Sequence, residues 1–308
     1  MTSLNHPIGF VNWPVPTLGG KQFWTDVEYF AGWRIQQNTE TGHYRLLDPK
    51  QIRHAWGNRL HCQMRLSRIR EERELKPHVG KVVILLHGLS RTRNSLKHLA
   101  RTLNDVGLYQ VIPFEYASCR GTIEQHAKNL HSMIQHLGIA VEEINFVCHS
   151  LGNLIVRRYL HDHPMAGSGS SGYPKIGRMA MLAPPNHGSK MAAIMRYTGI
   201  FQVITGASGH ALSIDWPSYS KTLAIPKFEF AILAGTGSRK LKWLNNPLLS
   251  ETSDLTVTLN ETKLTGAADY KCFPVYHWSM LYNRQVIDAV VRFLQHGYLV
   301  TAGEKTTL

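Results

Sequence analysis

The stretch Ile144-Asn145-Phe146-Val147-Cys148-His149-Ser150-Leu151-Gly152 runs from an apolar, strand-like segment into a helical one, Leu151–His161. A serine at such a junction sits on a sharp strand-to-helix turn, with its hydroxyl projected above the sheet. The helix that starts after it favours negative charge developing nearby. Gly152 keeps the turn free of a colliding side chain, while Cys148 stands where the G-x-S-x-G pattern has its first glycine. Ser150 is therefore the candidate nucleophile; the plainer alternative is an ordinary helix N-cap. A second S-x-G match, Ser170-Ser171-Gly172, follows no strand and is set aside.

Working outward, strand and helix patterns alternate from Val79 onward. Lys81–Leu86 is a short β-branched apolar run, as expected of a strand buried on both faces. Ser95–Val106 carries Leu96, Leu99, Leu103 and Val106 at helical spacing. Tyr109–Phe114 suggests a strand and Thr122–Leu137 a helix, with Ile123, Ala127, Leu130, Ile134 and Leu137 on one face. Ile176–Leu182 and Phe228–Ala234 are further strands, and Arg284–His296 is a closing helix. The alternation predicts an α/β fold: a mostly parallel central sheet with helices on both faces. Met165–Pro174 has the composition of a surface loop.

Residues 1–78 differ. They are rich in aromatics (Trp13, Phe23, Trp24, Tyr29, Phe30, Trp33, Tyr44, Trp56). Ala31–Gln37 and His43–Leu47 alternate apolar and polar residues around the turn chemistry of 38–42, which predicts a β-hairpin. Arg59–Lys76 follows as a helix ended by Pro77. The expected organisation is an N-terminal extension over 1–78, packed on a catalytic domain over 79–308.

The 308 residues carry 34 Lys+Arg against 21 Asp+Glu, a formal charge of +13. That charge bears on association rather than fold, and admits anionic partners such as an acidic membrane surface. In Arg65–Lys76 the pairs Arg68–Glu72, Arg70–Glu74 and Glu72–Lys76 stand at i,i+4, as on a solvated helix face. No zinc-finger or RNA-binding signature accompanies the charge, so no nucleic-acid partner is expected. A 43% hydrophobic content with 18% charged residues excludes general disorder. Four cysteines exclude a disulfide scaffold. No run approaches the ~18 apolar residues of a membrane span, and no signal peptide stands out, so a cytoplasmic location is expected. H-E-x-x-H and paired-cysteine spacings are missing, as are G-x-G-x-x-G and the P-loop, so neither a metal nor another cofactor is expected.

Leu86-His87-Gly88-Leu89 ends the first strong strand. The backbone N–H groups of Leu89 and of Leu151, the residue after the serine, are the candidate oxyanion donors. His87 reads as a loop-holding residue.

With HGL at 87–89, CHSLG at 148–152, LAPPNHGS at 182–189, AILAGTGS at 231–238, SDLTV at 253–257 and the YHWSML segment at 276–281, residues 80–298 resemble the α/β-hydrolase superfamily, in particular its bacterial lipases and esterases. The resemblance implies a Ser-His-Asp triad in the chain order Ser…Asp/Glu…His. The family's acid commonly lies in an N-D-G-x-V turn, which maps onto Ser253-Asp254-Leu255-Thr256-Val257 with leucine in place of glycine. Asp254 is therefore the candidate acid, with Asp269 and Asp215 as rivals. His277 is the histidine between Asp254 and the closing helix, and is the candidate base; His187 is the rival. A thioesterase, amidase or acyltransferase would share this triad, and a non-catalytic hydrolase-like protein docking anionic partners is the alternative from another class. The apolar run 191–205, with Met191, Ile194, Met195 and Phe201, suggests a lid (about 190–222) or acyl-chain wall, or else a buried helix; Trp278 is a further candidate pocket residue.

Overall fold

The computed structural model describes residues 15–17, 20–166, 169, 174–189, 216–237 and 252–308. Six parallel strands form the main sheet: β6 (Gly80–Leu86), β7 (Gln110–Phe114), β8 (Val141–His149), β9 (Lys175–Leu182), β10 (Phe230–Gly235) and β11 (Asp269–Phe273), in the order β11-β10-β9-β8-β6-β7. The even-numbered side chains of β6, Val82, Ile84 and Leu86, pack against α3 (Ile123–Gln135) and α4 (Leu151–Asp162). The odd-numbered ones, Val83 and Leu85, pack against α2 (Lys97–Asp105) and α7 (Arg284–His296). Two-sided burial explains why these strands are unbroken apolar runs, and places the sheet in the middle of an α/β sandwich. Two short helices, α5 (Trp216–Ser220) and α6 (Leu259–Thr262), complete the described helices of this part.

The closing helix runs over Arg284–His296 as expected, capped by the Asn283 side chain and ended by Gly297 at φ 77°. Thr122 caps α3 in a reciprocal pair with Gln125. β11 was not foreseen; it is a short edge strand whose central Tyr270, Lys271 and Cys272 are not buried.

The N-terminal part holds more than a hairpin and a helix. The expected hairpin is there, as β3 (Trp33–Asn38) paired with β4 (Tyr44–Leu47) from Arg34↔Leu47 to Gln37↔Tyr44. It sits inside a five-stranded antiparallel sheet with β1 (Val15–Pro16), β2 (Trp24–Phe30) and β5 (Ile52–Gly57), ordered β1-β5-β4-β3-β2. α1 (Arg59–Glu72) lays Cys62, Leu66 and Ile69 against Val27, Trp33, Ile35 and Leu46. The three expected i,i+4 ion pairs do not form among the described residues. Arg65 reaches Glu72 instead at 3.6 Å, and the guanidinium of Arg70 lies over the Phe30 ring and that of Arg73 over the Trp33 ring. Covering an aromatic edge of the sheet gains more for an arginine than an exposed ion pair.

This sheet is joined to the main one through β2. Asp26 N–H donates to the Glu115 carbonyl at 2.9 Å, Glu115 N–H returns to Asp26 Oδ2 at 2.8 Å, and Ala117 N–H reaches Thr25 Oγ1 at 3.1 Å. Ser132 on α3 donates to the Val27 carbonyl at 3.1 Å.

Candidate active site

Ser150 sits at the C-terminal end of β8 with φ 53° and ψ −121°, a left-handed conformation that a side-chain-bearing residue adopts only under constraint. The constraint is visible. Ser150 N–H is held by the Leu182 carbonyl at 2.9 Å, and the Ser150 carbonyl accepts from the Asn153 side chain at 2.9 Å. Gly152 lies so close to β6 that a Cβ there would stand 2.7 Å from Leu86 Cβ and 2.9 Å from the His87 carbonyl oxygen. The close approach around the serine is thus carried by Gly152 and Gly88, while Cys148 is fully buried in the core, where burial pushes its thiol pKa well up. The thiol stays protonated there and takes no part in the surface of the site.

The loop after β6 rests on this turn. A Cβ on Gly88 would meet His149 Nδ1 at 2.9 Å and Ser150 Cβ at 3.1 Å. Among the described residues no acceptor takes the N–H of Leu89, next after Gly88, or of Leu151, next after Ser150.

His277 and Asp254 meet. His277 Nδ1 is 2.7 Å from Asp254 Oδ2, and His277 N–H donates to the Asp254 carbonyl at 3.0 Å. Asp254 is fully buried, and its Oδ1 accepts the N–H groups of Thr256 (2.9 Å) and Val257 (2.8 Å). The turn takes its sharp bend at Leu255, φ 79°, the conformation for which glycine is the usual residue. Gly235 at the end of β10 makes room for the carboxylate; a Cβ there would stand 2.7 Å from Asp254 Cβ.

His277 is tied to the serine's neighbour. His149 Nε2 lies 2.9 Å from the His277 carbonyl oxygen, and the two rings are 4.7 Å apart. Among the hydrogen bonds of the described residues, none joins Ser150 Oγ to His277; such contacts commonly tighten only with substrate in place. Trp278, next to His277, is exposed and stacks on Tyr276 at 5.1 Å. Met191, Ile194, Met195 and Phe201 lie outside the described residues, as does the 190–215 part of the expected lid; the rest of it is α5 and the turn after it. Asp215 lies outside them too, and Asp269 is taken up elsewhere, accepting Leu299 N–H at 2.7 Å and Thr306 N–H at 3.0 Å.

Several polar residues that frame the site were not singled out from the sequence. Arg157 on α4 donates to Asn186 Oδ1 (3.0 Å) and to the Ala224 carbonyl (2.9 Å), fixing the loop after β9; burial lowers its pKa to about 10. His149 is the clearest omission, and its place directly before the serine is a signal that could have found it. Among the described residues no group of three or more His, Cys, Asp or Glu is placed to hold a metal ion, and no helix is long and apolar enough to cross a membrane.

Two buried histidines set a pH limit on the fold. Burial, reinforced by the charge of His277, holds His149 well below its ordinary pKa, and burial lowers His126 to about 3. In the unfolded chain both titrate near 6.5, so between that value and their folded pKa values the unfolded state binds protons that the fold refuses. Stability is therefore full above pH 6.5 and falls below it, by about 1.4 kcal/mol per pH unit for each ring. Denaturant melts between pH 7.5 and 5 should show this decline, and His126→Gln should make it shallower; equal slopes in the two proteins would contradict the assignment.

No curated protein matches the sequence. Among solved structures, the chain is similar to the mature lipase BlEst2 of Bacillus licheniformis, at 15% identity over 71% of this chain and 94% of that one, with a TM-score of 0.53. It is also similar to phospholipase PlaB of Legionella pneumophila, at 17% identity over 71% of this chain, with a TM-score of 0.55; the match spans 60% of the phospholipase. At such identities the likeness establishes the fold, an α/β-hydrolase. The family described as "Domain of unknown function (DUF7379)" matches residues 51–229, more than half the chain, crossing from β5 in the N-terminal sheet to just before β10. The chain, with an α/β-hydrolase fold, thus belongs to the DUF7379 family.

Proposed function

We propose that this protein is a serine hydrolase of carboxylic esters, of the lipase/esterase type, working through Ser150, His277 and Asp254. The observation that carries the proposal is the buried Asp254–His277 pair at 2.7 Å, joined through the His277 carbonyl to the residue beside a left-handed Ser150. Asp254 accepts the Nδ1–H of His277 and leaves Nε2 as the base. His277 takes the proton of Ser150 Oγ as that oxygen bonds to the ester carbonyl carbon. The N–H groups of Leu89 and Leu151 hold the oxyanion, each worth on the order of 3 kcal/mol of barrier. The C–O bond to the alcohol then breaks, and the alcohol leaves with the proton from His277. Water, deprotonated by His277, attacks the acyl-enzyme, the Ser150 Oγ–acyl bond breaks as His277 returns the proton to Oγ, and the acid departs.

The similar structures, a lipase and a phospholipase, favour lipid-like esters as the substrate class. The apolar run 191–205, with Met191, Ile194, Met195 and Phe201, together with Trp278, is assigned to the acyl side on its composition. Residues 1–78 are assigned to an extension and 79–308 to the catalytic domain. The positive charge would draw the protein weakly to anionic membrane surfaces.

A fluorophosphonate probe tests the reading. Wild type should label and Ser150→Ala should not. Well-folded wild type that stays unlabelled, with and without detergent, would remove the proposal. Turnover of p-nitrophenyl esters of increasing chain length then sorts esterase from lipase.

A further inference from the structure

The loop that carries Leu89 is held from the side facing the N-terminal sheet. His87 is fully buried, and residues 115 and 116, just past the end of β7, grip it at three points. The Tyr116 ring stacks on the imidazole, 4.0 Å between centroids and 5° from parallel. The Tyr116 hydroxyl donates to the His87 carbonyl. Glu115 Oε1 lies 3.4 Å from His87 Nε2, while His87 Nδ1 is 2.9 Å from the Gly88 carbonyl. Nδ1 thus donates to the Gly88 carbonyl, whereas Nε2 lies beside the Glu115 carboxylate without a hydrogen bond; the Nδ1 bond and the stacked Tyr116 ring fix the imidazole and, with it, the Gly88 carbonyl. The same Glu115 carboxylate accepts Arg93 N–H at 3.2 Å, so it spans both ends of the 87–93 loop.

Glu115 is in turn placed by the N-terminal sheet. Its backbone N–H and carbonyl are both paired with Asp26 on β2. Asp26 is fully buried; burial raises its pKa, and its Oδ1 accepts from Gln36 (2.7 Å) and Arg34 (3.3 Å) on β3. Gln36 in turn accepts two bonds from Arg45 on β4. A second tether runs from Gln22, which donates to the Arg91 carbonyl at 2.6 Å and accepts from Cys119 N–H at 3.2 Å. Buried polar surface of this extent is costly to desolvate, and the hydrogen bonds that offset the cost tie two sheets to one loop.

We propose that Glu115 and His87 are positioning residues for the oxyanion loop, and that the N-terminal sheet, through Asp26, sets where that loop stands against Ser150. The inference rests on the ester-hydrolase reading for its catalytic consequence, but not for its mechanical one. The sheet is then a working part of the active site rather than an accessory.

The test uses the full chain and two readouts. Glu115→Gln turns one carboxylate oxygen into a donor facing other donors, and Asp26→Asn does the same opposite Glu115 N–H. Tyr116→Phe removes only the hydroxyl, and keeps the test available should either charge variant fail to fold. Backbone amides of 87–92 should exchange about tenfold faster in each variant, with helix α7 unchanged as a control. The kcat for p-nitrophenyl butyrate should fall about 10- to 100-fold at little-changed KM, because the oxyanion donors act mainly in the transition state. Folded variants with wild-type exchange at 87–92 would overturn the inference, as would faster exchange with unchanged kcat. Wild type that turns over no ester would fail the hydrolase reading alone, leaving the exchange data to decide the mechanical claim.

Discussion

Asp254→Asn is expected to lower kcat for a short p-nitrophenyl ester by about 10⁴-fold while KM and melting temperature stay close to wild type. The size follows from hydrogen-bond bookkeeping at one carboxyl group. Asp254 Oδ1 accepts two backbone N–H groups, from Thr256 and Val257, so an asparagine must place its carbonyl oxygen there. Its NH2 then occupies the Oδ2 position, 2.7 Å from His277 Nδ1. An amide donor at that point requires a bare Nδ1, and the proton moves to Nε2. A base protonated on Nε2 cannot take the serine proton. Steady-state kinetics on the folded variant check this; a loss below about tenfold would show that Asp254 does not orient the base.

Gly152→Ala has the largest expected effect on the fold near the site. The new methyl would lie 2.7 Å from Leu86 Cβ, 2.9 Å from the His87 oxygen and 3.0 Å from the Leu86 oxygen. Two of the three obstacles are backbone oxygens, at the end of the central strand β6 and just past it, which cannot rotate away. The expected loss is about 2–3 kcal/mol of stability, the upper part of the range for overpacking. The displaced Leu86–His87 segment carries the 88–93 loop, proposed to hold an oxyanion donor, with it, so kcat should drop about 100-fold in the protein that still folds. Gly303→Ala, where nothing lies within 4 Å of the new methyl, is the control and should be near neutral. Denaturant melts and kinetics on the two variants separate the outcomes; equal behaviour would mean that the close approach of α4 to β6 is not tight.

How much of this was legible in the sequence depended on where each residue's partners lie. The central strands were plain because both faces are buried: Val82–Leu86 can be apolar throughout only if helices cover both sides. The 144–161 segment was plain because a strand run, a serine and a helical run follow one another without a linker. Strand β2 was hidden. Thr25, Asp26 and Glu28 are buried together with Val27, Tyr29 and Phe30, so no alternation marks a face. Its polar residues are tolerable only because partners far along the chain, such as Glu115 and Gln63, satisfy them. The ion pairs expected on α1 failed for a related reason. Helical spacing brings opposite charges within reach, but it cannot reveal that aromatic rings of another strand lie beneath Arg70 and Arg73.

The linear order of residues determined on its own the alternating α/β architecture, the junction that bends at Ser150, and the chain order serine, aspartate, histidine. These are local matters, written in periodicity, in small residues at tight turns and in spacing. Only the tertiary structure decided that Asp254 and His277 meet, that His149 ties the histidine to the serine's turn, and that Asp26 in a separate sheet reaches Glu115 beside the 87–93 loop. Each of those is a contact between residues 23 to 128 positions apart in the chain. Periodicity carries no record of such contacts, because the free energy that selects them comes from satisfying buried polar groups in three dimensions.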